Sequence, residues 1–400
     1  MIMPLNHRRS AKMSGSTPWA NRLPGSLLCL IVIAMTGCLG GTPENTVAEP
    51  QAPDSNTQEL ADQIDQVLDY TLTQRRLNAD SQAAWQILHG VLAYGQAFPV
   101  DHSDGTSNVV DYLQKGGSIR GFILRAGKVL NEANDRRGLI AVMQPGTKAG
   151  QGHADQWLAI LAQAGLTLND TIQADDRTFT MSDFVEQVKW DIPRNLDQEY
   201  SWTLIGLTKY FPTSTAWEAA DGETWSIERL VELESDYALG DGPCGGTHRL
   251  IGLAMALEIR RQEGLPITGV WAEAAARVQQ GVLNARRYQN QDGSFSTHYV
   301  NRGGTSRDLA QNLGTTGHLV EFLAIALPQE EIEAPWVQAA VTNLCDLFDK
   351  TQGLDLECGA LYHAAHGLVL YRNRLQPGSE YQPPAIVPLA ITPRASTVDP

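Results

Sequence analysis

The sequence predicts an all-α fold, specifically an α/α toroid built from helical hairpin repeats. Three observations support this fold class: helical periodicity of apolar residues, a self-similar segment, and alternation between segments that are apolar nearly all round and segments with one charged face. We find no run of alternating β-branched residues long enough to form a sheet. In such a toroid, an inner ring of parallel helices is surrounded by an outer ring that runs back.

The repeat is visible in three short apolar segments. "WLAIL" begins at Trp157, "TLIGL" at Thr203 and "RLIGL" at Arg249, so consecutive starts are 46 residues apart. A period of this length accommodates two helices and two loops. Related apolar segments are "ILHGVLAYG" from Ile87, "GHLVEFLAIALP" from Gly317 and "HAAHGLVLY" from His363.

The alternating segments differ in how they distribute charge. The repeated segments are apolar nearly all round and contain small residues such as Gly206 and Gly252, which is typical of helices buried on every side. The segments between them, such as "WSIERLVELE", carry one charged face, as outer helices do. A right-angled solenoid of helix pairs is the alternative architecture.

The N-terminal 38 residues are typical of a secretory signal. A basic segment extends to Arg22, and "LLCLIVIAM" from Leu27 is too short for a confident membrane span. The following "MTGC" resembles the lipobox of bacterial lipoproteins, in which the cysteine is lipidated. We therefore expect a lipid on Cys38 that anchors the protein in the cell envelope, at the outer membrane or the periplasmic face. An ordinary cleaved signal and an uncleaved anchor are the alternatives.

The remaining boundaries follow from composition. Residues 39–58 are rich in Pro, Thr, Asn and Glu, which predicts a disordered tether. Residues 376–400 contain six prolines, which excludes a helix there. The toroid domain is therefore predicted over residues 59–375. The formal net charge of −15 disfavours nucleic acid as a partner, because such a surface repels a phosphate backbone.

One motif resembles a known superfamily. "NQDGSFS", from Asn290 to Ser296, resembles the Q-x-x-D-G-x-[aromatic] element of the terpenoid cyclase and protein prenyltransferase α/α toroids. As a style of repeat, the resemblance covers roughly residues 85–374. The sequence has neither a D-x-D-D nor a D-D-x-x-D motif, so terpenoid cyclisation is not supported.

Polar residues collect at the starts of the predicted inner helices. Because parallel inner helices gather their N-termini at one mouth, we expect these side chains to form one polar pocket. Imidazoles and carboxylates in such a pocket can act as general acids and bases. The candidate catalytic residues are His153, Asp155, His248, His318, Glu321 and His363.

The same pocket has the donors that Zn²⁺ prefers, thiolate and imidazole. The candidate metal ligands are Cys244, His248, Cys358 and His363, with His318 as a further possibility. Protein prenyltransferases bind a catalytic zinc through Asp, Cys and His, but Asp241-x-x-Cys244 is only loosely similar to that motif. A Cys244–Cys358 disulfide and a free reactive thiol are the alternatives to zinc.

These observations leave the function open between two classes. The first is an envelope enzyme or ligand-binding protein that takes a small molecule or a glycan at the inner-helix mouth. The second is a non-catalytic toroid that binds a protein partner or has a structural role in the envelope. In that second case, the Gly-His and Cys-Gly segments only begin helices and join loops.

Overall fold

The computed structural model describes residues 55–143, 152–195 and 199–388. The predicted signal, Cys38 and most of the tether lie outside the described residues, as does the end of the Pro-rich tail. Within the described ranges the chain forms twelve α-helices. They are α1 (Ser55–Gln74), α2 (Ala84–Tyr94), α3 (Val109–Gln114), α4 (Gln156–Gln163), α5 (Met181–Asp191), α6 (Ser201–Tyr210), α7 (Ile227–Asp236), α8 (Thr247–Gln262), α9 (Val270–Arg287), α10 (Leu309–Ala326), α11 (Pro335–Lys350) and α12 (Cys358–Leu375).

The prediction of a predominantly helical chain is confirmed, but the all-α assignment is wrong. In the part of the chain that the structure describes, eight strands form four antiparallel two-stranded hairpins. Most are only three or four residues long, too short for an alternating pattern to be recognised in the sequence. The strands are β1 (Pro99–His102), β2 (Gly105–Asn108), β3 (Phe122–Asn131), β4 (Arg136–Met143), β5 (Thr171–Ala174), β6 (Arg177–Thr180), β7 (Ala216–Glu218) and β8 (Thr224–Ser226).

Three of these hairpins belong to the repeat. A buried helix, a hairpin and an outward helix follow one another as α2-β1-β2-α3, α4-β5-β6-α5 and α6-β7-β8-α7. The β5–β6 turn contains Asp175 and Asp176, both with positive φ, as a tight hairpin turn requires. The strand that follows, β6, ends at Thr180, which is the N-cap of α5. The Thr180 hydroxyl accepts from the amide of Asp183 in the first turn of that helix.

Six helices are buried nearly all round and contact one another in sequence. They are α2, α4, α6, α8, α10 and α12; each contacts the next, and α12 contacts α2. In α6, for example, every residue from Ser201 to Thr208 is buried. By contrast, α7, α9 and α11 each bury one face. The two predicted kinds of helix therefore both occur.

The contact between α10 and α12 is unusually close. A Cβ at Gly317 of α10 would lie 2.3 Å from the Cβ of Ala364, and a Cβ at Gly367 of α12 would lie 2.7 Å from the amide nitrogen of Glu321. Only glycine permits backbones to approach in this way. As a result, Glu321 and His363 face each other across the two helices, at 2.7 Å between Oε2 and Nδ1.

The two ends of the folded region differ slightly from the predicted boundaries. Helix α1 begins at Ser55, inside the predicted tether, and contacts α11 and α12. After α12, residues 376–388 contain no helix. Tyr381 is nevertheless buried there, and its hydroxyl donates to Asp69 of α1 at 2.9 Å. The start of the Pro-rich tail is thus part of the packed structure.

None of the helices in the described ranges is long and apolar enough to cross a membrane.

The Asp292-Gly293 element makes a turn between α9 and the following loop. Asp292 Oδ1 accepts from both the amide and the hydroxyl of Ser294, at 3.0 and 2.6 Å. Gly293 has φ of 87°, and a Cβ there would lie 2.4 Å from the carbonyl oxygen of Ala339. The element therefore joins this loop to α11 and has a structural role.

We expect Gly317→Ala to lower the free energy of unfolding by about 1–3 kcal/mol, because the added methyl group overpacks the α10–α12 contact. An alanine in a helix would otherwise stabilise the protein. Gly303→Ala is the matched control, since a Cβ there meets no described atom within 4 Å. Urea unfolding of the two variants measures the difference. Equal urea midpoints for the two variants would contradict this prediction, because they would show that α10 and α12 can move apart to accommodate the methyl group.

Candidate functional site

The buried helices enclose one end of a cavity of about 300 Å³. Five histidines line it, and they come from five different parts of the chain: α2, the segment before α4, α8, α10 and α12. The ring centroids of His153 and His248 lie 4.9 Å apart, and those of His318 and His363 lie 4.2 Å apart. The histidines are His89, His153, His248, His318 and His363. The structure therefore brings together the four histidines proposed from the sequence and adds His89.

Two of these rings are oriented by backbone carbonyls of their own helices. His89 Nδ1 lies 2.6 Å from the carbonyl oxygen of Trp85, and His318 Nδ1 lies 2.7 Å from that of Gly314. A carbonyl oxygen can only accept, so Nδ1 carries the proton in both rings. Nε2 is then the nitrogen with the free lone pair.

The other three rings are oriented by two buried carboxylates. Glu199 Oε1 lies 2.7 Å from Nδ1 of His153 and 3.2 Å from Nδ1 of His248. Glu321 Oε2 lies 2.7 Å from Nδ1 of His363, and its other oxygen binds His366 at the same distance. All five cavity histidines thus have Nδ1 occupied by an acceptor. Such outer hydrogen bonds are characteristic of metal-binding and catalytic imidazoles.

The carboxylates are ionised because of these contacts. Burial opposes the ionisation of Glu321, but the charges of His363 and the hydrogen bonds from His363 and His366 outweigh it and lower the pKa. For Glu199, burial likewise opposes ionisation, but the charge of His248 and the hydrogen bonds from His153 and His248 outweigh it and lower the pKa. Burial lowers the pKa of His363 to about 4 although Glu321 opposes it. The cavity therefore contains ionised acids behind its histidines.

Cys244 enters the site on a strained turn. Cys244, Gly245 and Gly246 have φ of 50°, 63° and 78°, and Thr247 then begins α8. Among the described residues, six that are not glycine have positive φ; four are aspartates, and the other two are Cys244 and Tyr299. Left-handed backbone costs energy for such side chains and is concentrated at functional sites. Both residues line the cavity.

The two strained residues pack on each other through Gly245. A Cβ at Gly245 would lie 2.3 Å from Cδ2 of Tyr299, so this position requires glycine for space as well as for its conformation. The double glycine of "GPCGGTHR" is thereby explained. Gly245 leaves space for the Tyr299 ring, and both glycines continue the left-handed turn that leads from Cys244 into α8.

Cys244, His248 and His318 form a group with the geometry of a metal site. One ligand atom from each lies within 4.8 Å of the others. In the described part of the chain, the Nε2 atoms of His248 and His318 are buried without a hydrogen-bond partner. One sulfur and two imidazole nitrogens are a donor set that suits Zn²⁺, and the Nδ1 hydrogen bonds supply the outer shell. The residues present therefore fit a zinc ion.

The charges in this group are consistent with that fit. Burial would raise the pKa of the Cys244 thiol, but the charges of His318 and His248 lower it to about 4. Burial would likewise lower the pKa values of His248 and His318, but the charge of Cys244 raises both. In the metal-free group, these contacts favour the thiolate form of Cys244 and the protonated forms of the two imidazoles. A divalent cation can replace those protons.

Two residues proposed from the sequence, Cys358 and Asp155, do not belong to the group of Cys244, His248 and His318. Cys358 is the first residue of α12, where its sulfur accepts from Gln86 Nε2 at 3.8 Å and burial raises its pKa to about 11. It lines a neighbouring cavity with Arg75 and is not a member of the Cys244 group. Cys244, Cys345 and Cys358 are all free thiols, so the described cysteines form no disulfide.

Asp155 does not line the cavity of the five histidines. It precedes α4 with φ of 60°, and its carboxylate accepts from the hydroxyl of Thr203 at 2.6 Å and the amide of Asn195 at 3.1 Å. It lines a second cavity of about 240 Å³ beside Trp157. His153 lines both cavities, so the two spaces meet at its ring.

Glu199 and Tyr299 are site residues that the sequence did not suggest. Tyr299 lies in a loop with no recognisable signal. Glu199 did have one: it follows His153 by 46 residues, the spacing of the repeat, and directly precedes an apolar helix. The equivalent positions in two repeats thus contribute a histidine and a glutamate that contact each other.

Comparisons with known proteins add no assignment. A comparison with the known protein families found no match, and a search among curated proteins found none at a significant level. The function must therefore be argued from the site itself.

The buried carboxyl group of Asp155 predicts a pH dependence. Burial raises its pKa from 3.8 to about 6, so between these values the folded protein binds a proton that the unfolded chain does not. Stability should therefore fall as pH rises from 4 to 6, by on the order of 2 kcal/mol. Asp155→Asn should remove this contribution while keeping an oxygen for Thr203. Thermal unfolding of both proteins at pH 4, 5, 6 and 7 measures it; parallel profiles would contradict it.

Proposed function

We propose that this protein is an α/α-toroid metalloenzyme of the cell envelope, with Zn²⁺ held by Cys244, His248 and His318. The single observation that carries the proposal is a group of three ligand atoms within 4.8 Å of one another, the Cys244 sulfur and one ring nitrogen each of His248 and His318. The Nε2 atoms of both rings are buried. Three protein ligands leave one coordination position for a substrate or water, which distinguishes catalytic zinc sites from structural ones.

The toroid is supported by the closed series of helix contacts. An open solenoid would leave its first and last inner helices unpaired, whereas here α12 contacts α2. The residues of the site come from α8, α10 and α12 and from the segments before α4 and α6, and they meet at one end of these helices. This arrangement is what a ring of parallel inner helices would produce.

The cavity indicates the chemistry and the kind of substrate. A bound zinc ion would supply Lewis acidity, by polarising a carbonyl or by lowering the pKa of water. His363 lines the same cavity with Nδ1 held by Glu321, so Nε2 is the nitrogen that can accept a proton from a bound molecule. The described lining contains no lysine or arginine, which favours a neutral small molecule or glycan residue over a phosphate ester.

The non-catalytic alternative predicts a core filled by apolar side chains. The cavity instead has imidazoles, a thiol, the Tyr299 phenol and the Glu357 carboxylate among its lining groups. A buried polar group is costly unless it is hydrogen-bonded, and the Nε2 atoms of His248 and His318 have no hydrogen-bond partner among the described residues. The cavity therefore favours the ligand-binding and catalytic class over a purely structural one.

Purified protein should contain zinc bound through Cys244. We expect about one Zn²⁺ at this site, removable by a strong chelator with a fall in thermal stability. Cys244→Ser and His318→Ala should lose this ion, whereas Cys358→Ser, the matched cysteine control, should retain it. Elemental analysis and thermal unfolding of the four proteins measure these effects. Metal-free wild type whose Cys244 reacts at once with iodoacetamide would instead indicate a thiolate nucleophile.

The lipid anchor has a separate test. If Cys38 is lipidated, wild-type protein should enter the detergent phase on phase separation, and Cys38→Ser should move it to the aqueous phase. Cys345→Ser is a control that leaves the N-terminus unchanged. Mass spectrometry of the N-terminal peptide identifies the lipid. A wild-type protein that begins at another residue and stays in the aqueous phase contradicts the anchor.

A further inference from the structure

His248 belongs to two groups of potential ligand atoms. The first is the group with Cys244 and His318, and the second contains His153 and Glu199; within each group one ligand atom per residue lies within 4.8 Å of the others. The two ring nitrogens of His248 have different surroundings. Nδ1 lies 3.2 Å from Glu199 Oε1, whereas Nε2 has no partner among the described residues. One imidazole is thus shared by two adjoining sets of donors.

We propose that the cavity binds two divalent cations, the second held by His153 Nδ1, Glu199 Oε1 and His248 Nδ1, with the His248 ring bridging the pair. This inference rests on the proposed function, because the first cation takes Nε2 of the same ring. The second donor set is two imidazole nitrogens and a carboxylate oxygen. Such a set suits Zn²⁺ and other borderline cations such as Co²⁺.

The distances are close to those that a bound ion would impose. The Oε1 of Glu199 lies 2.7 Å from Nδ1 of His153 and 3.2 Å from Nδ1 of His248. Ligand atoms about 2.0–2.2 Å from a tetrahedral ion are about 3.3 Å apart. The His248 contact already matches this spacing, whereas Nδ1 of His153 must move about half an ångström away from Oε1 to admit an ion.

Charge balance favours a cation at this position. The Glu199 side chain is only 3% exposed, and within the described chain its ion-pair partners are His153 and His248, with no lysine or arginine. A buried carboxylate requires a compensating positive charge. A cation coordinated by Glu199 Oε1 supplies that charge directly.

Binding of the second ion displaces the Nδ1 protons of His153 and His248, and each proton has a destination. The ion replaces the proton on Nδ1 of His153, which moves to Nε2 of that ring, so His153 stays neutral. His248, bonded to metal through both nitrogens, releases its remaining proton to solvent. Binding of the second cation is thus accompanied by the release of a proton, as for metal sites in general. His153 has 23% of its side chain exposed, so the ion can enter past this ring.

Equilibrium dialysis of the full-length chain against Zn²⁺, and separately Co²⁺, tests the inference. We expect two ions per chain in wild type and one in both His153→Ala and the isosteric Glu199→Gln. His102→Ala, which alters a histidine of β1 outside the cavity, should retain two. With Cd²⁺ as probe, the ¹¹³Cd spectrum of wild type should contain two resonances, one shifted downfield by thiolate; His153→Ala should lose only the other. Circular dichroism confirms that each variant is folded.

The outcomes separate this inference from the function on which it rests. One ion in wild type that persists in His153→Ala overturns the second site and leaves the Cys244 site intact. One ion that persists in Cys244→Ser and is lost in His153→Ala overturns both, because the bridge requires a cation on each side. Two ions in wild type and in both His153→Ala and Glu199→Gln would place the second ion elsewhere and overturn the inference.

Discussion

A buried imidazole can present a lone pair in a fixed direction only if its other nitrogen is held. In this protein that constraint is met five times in one cavity, by two backbone carbonyls and by the carboxylates of Glu199 and Glu321. The carbonyls come from the preceding turn of the same helix, so no residue outside that helix is needed to orient these two rings. The carboxylates each hold two histidines and are themselves buried. Because these outer contacts determine the tautomer, they determine which nitrogen is available for metal or proton transfer.

The approach of backbone to backbone makes these contacts possible. Glu321 reaches His363 because Gly317 and Gly367 let α10 and α12 approach more closely than larger residues would permit. The same principle acts before the start of α8, where Gly245 lets the Tyr299 ring pack directly against the backbone beside Cys244. Glycine therefore has two roles here. In the helices it provides space, and in the turn it also accepts a left-handed backbone.

The strain at Cys244 and Tyr299 is offset by the packing around them. Neither side chain favours positive φ, and each would relax if the turn were free. The ring of Tyr299 packed against Gly245 and the hydrogen bond from the Thr247 hydroxyl to the Cys244 carbonyl, at 2.8 Å, hold the turn in place. As a consequence, the Cys244 sulfur is already positioned beside His248 and His318 before a ligand binds. A thiol on a relaxed loop would have to be ordered at the moment of metal or substrate binding.

The sequence by itself determined the helical character, the 46-residue repeat and the distinction between buried and one-sided helices, because periodicity along one helix records which faces are covered. It also indicated His153, His248, His318 and His363, since polar residues are conspicuous in apolar helices. It did not show the short hairpins, whose strands are below the length at which alternation can be read. Nor could it assign partners: Cys244 and Cys358 have the same local pattern, a cysteine before glycine at a helix start. Only the tertiary structure separated them, because distance between residues far apart in the chain decides which donors share a site. Cys244 meets two imidazoles, whereas Cys358 meets the amide of Gln86.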